Sequence, residues 1–333
     1  MTSPAPSTTG TDGGASHPPP AGYNSAFGTW DRRASVRSRP RRVLDDGSVV
    51  GDGGRAVLFF PPELVPAAGH PLVSGRGGEA VHRTLVRSLY QYLHFTQVLE
   101  QVAVIPVTTT ISLGRSGVEM DPRMRADAFA ITTDEAWHAQ FSHDFIDQVH
   151  SASGVPPLPP AVPAFVRRLA DIRFGLPPDA RRLVDLFFAV VSETLISSIL
   201  TDIPRDRRLP TALRELVADH AADEGRHHAF FRSFLRATWP QLDASQRRLL
   251  GPLIPELVRA FVEPDLSAIA AALRAEGLSQ AQARRVVGES YREARSQERI
   301  AQVARATVRS FAEVGALDEP ATQAAFAAHG LAG

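Results

Sequence analysis

Two segments of this chain each place a glutamate three residues before a histidine. Glu135 precedes His138 in the sequence DEAWH, and Glu224 precedes His227 in the sequence DEGRH. Three helical residues turn through about 300°, so both side chains of each pair leave the same helix face and can bind one ion. A single pair of this kind is common on helices. Two copies, about 90 residues apart, indicate two ions held between the helices of a bundle.

Two further glutamates lie among apolar residues. Glu100 follows the segment LHFTQVL at 93–99, and Glu193 lies within RLVDLFFAVVSETLI at 182–196. Moving an isolated carboxylate out of water costs at least several kcal/mol, so each must be neutralised, paired or bound to a metal. One glutamate from each of two helices, with Glu-x-x-His from each of two others, is the ligand pattern of ferritin-like dinuclear bundles.

A third histidine extends the second motif. His220 lies four residues before Glu224, so it shares the helix face of that motif. Four carboxylates balance the charge of two divalent ions, and nitrogen and oxygen donors without sulfur favour iron over zinc, with manganese as the other option. Asp134 and Asp223 each precede a motif glutamate, and we expect them to hold the outer nitrogens of ligand histidines. The predicted metal ligands are Glu100, Glu135, His138, Glu193, His220, Glu224 and His227.

The composition limits the kinds of molecule that this protein is expected to bind. Lys and Arg together number 36, as do Asp and Glu, so nothing favours nucleic acid or an anionic membrane, and we expect a small-molecule ligand. The chain has no cysteine, which excludes disulfides, thiolate metal sites and thiol catalysis. There is no uncharged apolar run of about 20 residues and no secretory pattern near the start. We therefore expect no membrane span and a cytoplasmic location.

The patterning divides the chain in two. Residues 1–50 are rich in Ser, Thr, Gly, Pro and Ala and become Arg-rich at 32–42, which predicts a mostly disordered tail. Residues 51–333 are predicted to form a single all-α domain, because strand signals are nearly absent from Glu79 onward. Pro106 is expected to close the first helix. The predicted helices span about 79–104, 122–151, 161–174, 178–202, 208–238, 244–262, 265–275, 279–288 and 290–315.

Through these ligands the sequence resembles the diiron arylamine oxygenases, a p-aminobenzoate N-oxygenase-like family of antibiotic biosynthesis, over about residues 60–318. All seven predicted ligands match the family pattern by type and spacing, and His220 distinguishes it from other ferritin-like proteins. The resemblance implies a ferritin-like bundle with additional C-terminal helices and two iron ions. It also implies dioxygen as co-substrate, an external electron donor or redox partner, and a homodimer. The implied reaction oxidises an amine through hydroxylamine and nitroso toward nitro.

Substrate contacts are predicted from two sources. Apolar and aromatic side chains near the ligands are candidate pocket walls: Phe95, Trp137, Phe141, Leu195 and Ile196. The resemblance adds an anchor for a substrate carboxylate, in which Tyr92 matches the family's tyrosine. Gln302 stands where the family's arginine is expected, and Arg299 or Arg305 can replace it. The substrate therefore need not be p-aminobenzoate.

Three other functions compete with amine oxygenation. The same centre could serve C-hydroxylation or desaturation. A ferroxidase or metal-storage bundle predicts a shorter four-helix chain with acidic ion paths, whereas this chain is long and apolar around the predicted site. A metal-free helical interaction protein leaves the buried Glu100 and Glu193 unexplained.

Overall fold

The computed structural model describes residues 22–44, 57–200 and 202–331. All the regular elements in these ranges are helical, which confirms the predicted fold class. Four long helices form the bundle that surrounds the predicted ligands. They are α4 (Gly78–Leu99), α6 (Pro122–Ser153), α8 (Pro178–Ile199) and α9 (Thr211–Thr238).

The remaining helices precede, join or cover the bundle. They are α1 (Trp30–Arg33), α2 (Ser35–Ser38), α3 (Pro71–Ser74), α5 (Ile105–Ser112), α7 (Ala164–Arg173), α10 (Ala244–Leu250), α11 (Ile254–Val262), α12 (Leu266–Ala275), α13 (Gln280–Ser290), α14 (Glu293–Glu313) and α15 (Pro320–Ala328). Within the described residues, no helix is both long enough and apolar enough to cross a membrane.

Helix α8 lies at the centre of the fold. Its residues Val184 and Phe187–Val191 are at most 1% exposed, because every side chain from Leu186 to Val191 is apolar. It packs against α9, α11 and α14. A helical stretch that is apolar all round must be enclosed by neighbours, so Glu193, two residues further along, is carried into the interior and is 0% exposed.

Local sequence explains where α6 begins and ends. The Asp121 carboxylate accepts a hydrogen bond from the Arg123 backbone N–H, and Pro122 occupies the first helical position, where its missing N–H costs nothing. The helix ends at Gly154, whose φ of 67° is the left-handed conformation that favours glycine. Both ends agree with the predicted boundaries to within two residues, which fixes the position of the first Glu-x-x-His motif.

The prediction that Pro106 closes the first helix is wrong. Helix α4 runs into a π-helical turn at Glu100–Val104 and continues without interruption as α5. In this turn the Ile105 N–H donates to the Glu100 carbonyl, five residues back, so the wider turn accommodates the proline that follows. Turns of this kind are frequent at functional sites, and this one begins on a predicted metal ligand.

The predicted helix over 244–262 is divided. Pro252 and Pro255 cannot donate to the preceding turn, so a 3₁₀ turn at Gly251–Leu253 separates α10 from α11. The C-terminal helices α12 and α13 form a small second core with the segment around Val73. Helix α14 packs along α8 and α9.

Residues 22–44 form an ordered segment, which we call the strap, that contacts α6 and α9 through α2. The prediction of a mostly disordered tail is wrong for this segment. Two of its arginines form close ion pairs with the bundle, Arg41 2.5 Å from Asp144 and Arg42 2.7 Å from Asp219. Of the predicted tail, 1–21 and 45–50 lie outside the described residues.

Candidate metal centre

The four long helices bring all seven predicted ligands into one buried cluster. Glu100 comes from the π turn, Glu135 and His138 from α6, Glu193 from α8, and the last three from α9. Each of the seven side chains is at most 1% exposed. The helices that supply these residues are in direct contact, and the π turn touches both α6 and α8.

The cluster divides into two overlapping groups. Donor atoms of Glu135, His138, Glu224 and His227 lie within 4.8 Å of one another, and so do those of Glu100, Glu135 and Glu193. Glu135 belongs to both groups, so its two oxygens can serve two ions. Nε2 of His220 lies 3.0 Å from the Glu224 carboxylate, and its ring is 4.3 Å from that of His138.

The unpaired oxygens of the cluster fit a pair of metal ions. Both carboxylate oxygens of Glu100 and of Glu193 are buried without a hydrogen-bond partner, as are one oxygen of Glu135 and one of Glu224. Buried carboxylates without compensation are strongly destabilising, so a structure tolerates them only where another group neutralises them. With imidazoles alongside, the donor set is the oxygen and nitrogen chemistry that iron and manganese accept.

Two aspartates fix the orientation of the histidines. Nε2 of His227 lies 3.1 Å from Asp134, and Nε2 of His138 lies 3.2 Å from Asp223. A carboxylate can only accept, so Nε2 carries the hydrogen in each pair and Nδ1 is left to face the glutamates. Nδ1 of His138 is 2.7 Å, and that of His227 2.9 Å, from a Glu135 oxygen. Nδ1 of both imidazoles is therefore directed at the glutamates, where it can bind a metal ion once its own proton has been displaced.

Burial and the neighbouring charges shift the pKa values of the clustered side chains. Burial, and then the neighbouring Glu135 carboxylate, raise the pKa of Glu100 well above its usual value. Burial and the nearby Glu224 do the same for Glu193. Burial lowers the pKa of His138, but Glu135 and Asp223 outweigh this effect and raise it to about 10. Carboxylates crowded in this way repel one another unless protons or cations lie between them.

A comparison with known proteins identifies the family. The family model of p-aminobenzoate N-oxygenase AurF matches residues 49–315. The chain belongs to this family. A 4-aminobenzoate N-oxygenase from Streptomyces thioluteus is 27% identical over 263 residues, which cover 78% of this chain and 76% of that protein. Family membership makes the chain an oxygenase and agrees with the resemblance seen in the sequence.

Three of the predicted pocket residues lie beside this oxygenase's cluster. The ring of Phe141 is 5.4 Å from that of His138 and 5.6 Å from that of His220, and Trp137 packs edge-on against Phe141. The Tyr92 hydroxyl is buried without a hydrogen bond of good geometry. Burial raises the pKa of Tyr92, and the Glu224 and Glu100 carboxylates raise it further, so this hydroxyl keeps its proton next to the cluster.

The other apolar candidates for the pocket lie within the core. Phe95 packs against Phe165 and Phe261 in the interior, and Leu195 and Ile196 are buried in the core. The substrate anchor expected at Arg299, Gln302 or Arg305 of α14 stays a prediction. Arg299, Gln302 and Arg305 are exposed, because α14 turns a different face inward. Its inward face includes Thr307, whose hydroxyl donates to that of Thr194, the neighbour of Glu193.

Two cavities lie near the bundle. The larger, about 330 Å³, opens between α5, α7 and α8, is lined by three arginines, and contains none of the predicted ligands. The smaller, about 100 Å³, lies between the strap and helices α6 and α9, and its walls include Trp137 and Phe141. Phe141 also contacts two of the predicted ligand histidines, so its side chain lies between the smaller cavity and the cluster.

The strap residues that lie at the centre were not among the predicted site residues. The Trp30 indole donates to Asp134, and the Phe27 ring stacks on His227 at a centroid distance of 6.1 Å. The strap precedes the range that the family model matches. A signal was present, since Tyr23, Phe27 and Trp30 occupy i, i+4 and i+7 in a segment otherwise poor in aromatic residues.

Proposed function

We propose that this protein is a non-heme diiron N-oxygenase that uses dioxygen to oxidise an arylamine, through hydroxylamine and nitroso toward nitro, in natural-product biosynthesis. One observation carries the proposal: four buried glutamates with unpaired oxygens and three histidines converge at the centre of the bundle. The family match supports the reaction class, because the family model and the matched relative are both named as aminobenzoate N-oxygenases.

The seven clustered side chains are the residues that would hold two iron ions. Their nitrogen and oxygen donors suit iron, and their four carboxylates balance the charge of two divalent ions. When bound, the iron pair supplies the redox chemistry that activates dioxygen, with electrons from an external donor or redox partner. We further propose a homodimeric, cytoplasmic enzyme, which sedimentation and cell fractionation would test.

The protein's own contribution begins with the exclusion of water. The ligands and both aspartates are essentially inaccessible to solvent, so reactive species and the substrate amine are shielded from competing proton transfer. Asp134 and Asp223 hold the two motif histidines in one tautomer and one ring orientation. The positions left open for substrate and oxygen are thereby set by the fold.

Tyr92 and Phe141 are the residues that we propose contact the substrate. Phe141 offers an aromatic wall on the histidine side of the centre. The protonated Tyr92 hydroxyl, buried and without a hydrogen bond of good geometry, offers a hydrogen bond near Glu100 and Glu224. An aromatic ring bearing a polar substituent matches this pair of surfaces. An arylamine is therefore a better fit than an aliphatic amine.

The test combines iron content with product analysis. The full-length protein is loaded anaerobically with Fe²⁺, reduced, and exposed to ¹⁸O₂ with a panel of arylamines and aliphatic amines. We expect about two irons per chain, as in a dinuclear site, and ¹⁸O on the amine nitrogen of one or more arylamines. The Glu193→Ala variant is the control for metal-independent oxidation. Two irons with ¹⁸O found only on ring carbon would replace N-oxygenation with C-hydroxylation, and an iron content near zero would overturn the proposal.

A further inference from the structure

The strap is bound directly to both aspartates of the metal centre. Nε1 of Trp30 lies 2.9 Å from each oxygen of Asp134, and the backbone N of Ser35 lies 3.1 and 3.2 Å from the oxygens of Asp223. Ser35 is 2% exposed, and both aspartates are fully buried. Hydrogen bonds to a carboxylate are among the stronger ones in proteins, and burial strengthens them further.

Each of these contacts continues to a ligand histidine. The first path runs from Trp30 through Asp134 to Nε2 of His227, and the second from Ser35 through Asp223 to His138. The two paths end on the two histidines of the Glu-x-x-His motifs. Phe27 adds a second restraint on His227, since the two rings stack within 5° of parallel.

We propose that Trp30 and the Ser35 backbone are positioning groups of the metal centre, which the strap completes from outside the residues that the family model matches. The inference rests on the proposed function, because it requires His138 and His227 to bind metal. The donors fix the aspartates, the aspartates fix the rings, and the rings fix the directions in which Nδ1 binds. Partners of this kind affect metal affinity by about 10–100-fold.

The chain offers a matched pair of variants for the first path. Trp30→Phe removes the indole N–H but keeps an aromatic ring near Arg37, which lies 4.8 Å above the ring. Tyr23→Phe removes a comparable hydrogen bond, 2.7 Å long, between the strap and Asp127 of the same helix α6. Asp127 contacts no predicted ligand in the described hydrogen bonds, so Tyr23→Phe controls for loosening of the strap alone.

A second pair tests the Ser35 path. Ser35→Pro removes the N–H that Asp223 accepts, at the first residue of a helix, where proline is tolerated. The preceding Ala34 has ψ of 141°, which suits a residue before proline. Ser35→Ala keeps the N–H and removes only a hydroxyl that has no hydrogen-bond partner. The difference between these two variants isolates the backbone donor.

The measurement is anaerobic Fe²⁺ binding to each full-length variant, by competition with a chromogenic chelator, together with thermal unfolding of the metal-free protein. We expect Trp30→Phe and Ser35→Pro each to lower the affinity for one of the two Fe²⁺ ions about 10-fold or more. Tyr23→Phe and Ser35→Ala should bind as the parent does. A Co²⁺-loaded sample should show an altered ligand-field spectrum only in the first two variants.

The outcomes separate this inference from the proposed function. If the parent binds two irons and oxidises an arylamine while Trp30→Phe and Ser35→Pro bind iron normally, the inference alone is overturned. Equal loss of affinity in Trp30→Phe and Tyr23→Phe, in proportion to lost thermal stability, overturns it too, because it reduces the strap to a general stabiliser. A parent that binds no iron overturns both.

Discussion

The carboxylate of Asp134 lies 3.1 Å from Nε2 of His227, although Asp134 belongs to the first Glu-x-x-His motif and His227 to the second. The reverse pairing joins Asp223 to His138 at 3.2 Å. Each motif therefore orients the histidine of the other. Helices α6 and α9 must be docked in register before either histidine is correctly placed, so the donor atoms of the two motifs are oriented together rather than independently.

Replacing Asp134 with asparagine should weaken iron binding more than it weakens the fold. Asparagine can still accept from His227, but it removes the negative charge that favours the bound imidazole. We expect Fe²⁺ affinity to fall about 10–100-fold. Asp127→Asn is the control, because Asp127 lies on the same helix and accepts a similar hydrogen bond from Tyr23. Equal effects of the two variants in a chelator competition assay would contradict the cross-pairing account.

Replacing Glu193 with glutamine should separate metal binding from stability. Burial raises the pKa of Glu193, so its charged form is unfavourable in the metal-free fold, and a neutral amide should leave that form as stable as the parent or more so. Iron at about 100 times its dissociation constant should stabilise the parent by about 2.7 kcal/mol per site. We expect most of this gain to be absent in Glu193→Gln. Thermal unfolding with and without Fe²⁺ measures both effects, and an undiminished gain would remove Glu193 from the ligand set.

The cluster could be predicted because its signals are local. Helical spacing alone places Glu135 with His138 and Glu224 with His227, and an apolar surrounding alone makes Glu193 a buried carboxylate. The structure brings these residues together as predicted. The position of Asp134 and Asp223 directly before the motif glutamates also predicted them as partners of histidines, although not which aspartate meets which histidine.

The parts that could not be predicted depend on tertiary contacts or on fine helical phase. The strap is held partly by the backbone N–H of Ser35, a group that no residue pattern reveals. The face of the helix assigned to Gln302 depended on its exact position in the helical turn, and one residue of error rotates a side chain by about 100°. Pro106 normally signals a helix end, but a π turn absorbs it here. The features that escaped prediction are thus a contact between residues far apart in sequence, the rotational phase of one helix, and an unusual backbone geometry.

Replacing Tyr92 with phenylalanine should impair turnover without loss of iron. Its hydroxyl is buried and poorly paired, so removing it should leave the free energy of unfolding unchanged or raise it by up to about 1 kcal/mol. We expect kcat/KM for an arylamine to fall about 10-fold, equivalent to about 1.4 kcal/mol. Tyr90→Phe is the control, since the Tyr90 hydroxyl donates to the Val155 carbonyl at 2.7 Å, and its loss should destabilise the fold but spare turnover. Normal kcat/KM in Tyr92→Phe would exclude the proposed substrate contact.

An acid-sensitive ion pair joins the C-terminal helices to the bundle. Glu276, which follows α12, is bound by Arg83 at 2.5 Å and by Arg87, both from α4. Burial raises the pKa of Glu276, but the two arginines outweigh burial and hold it below its usual value of 4.5. A carboxyl group whose pKa is lower in the folded state stabilises the fold above its unfolded pKa. That contribution is lost as the pH falls from about 4.5 through the folded value.

Glu276→Gln should therefore lower the free energy of unfolding at pH 7 by roughly 1–2 kcal/mol, because it leaves two arginines without their partner. The difference from the parent should shrink as the pH is lowered below about 4.5, where the parent's own carboxyl group becomes protonated. Urea unfolding at a series of pH values measures this. Glu313→Gln, in an exposed pair with Arg232, should show little effect at any pH. A difference between Glu276→Gln and the parent that stays constant from pH 7 to pH 3 would mean that packing, rather than charge, holds α12 against α4.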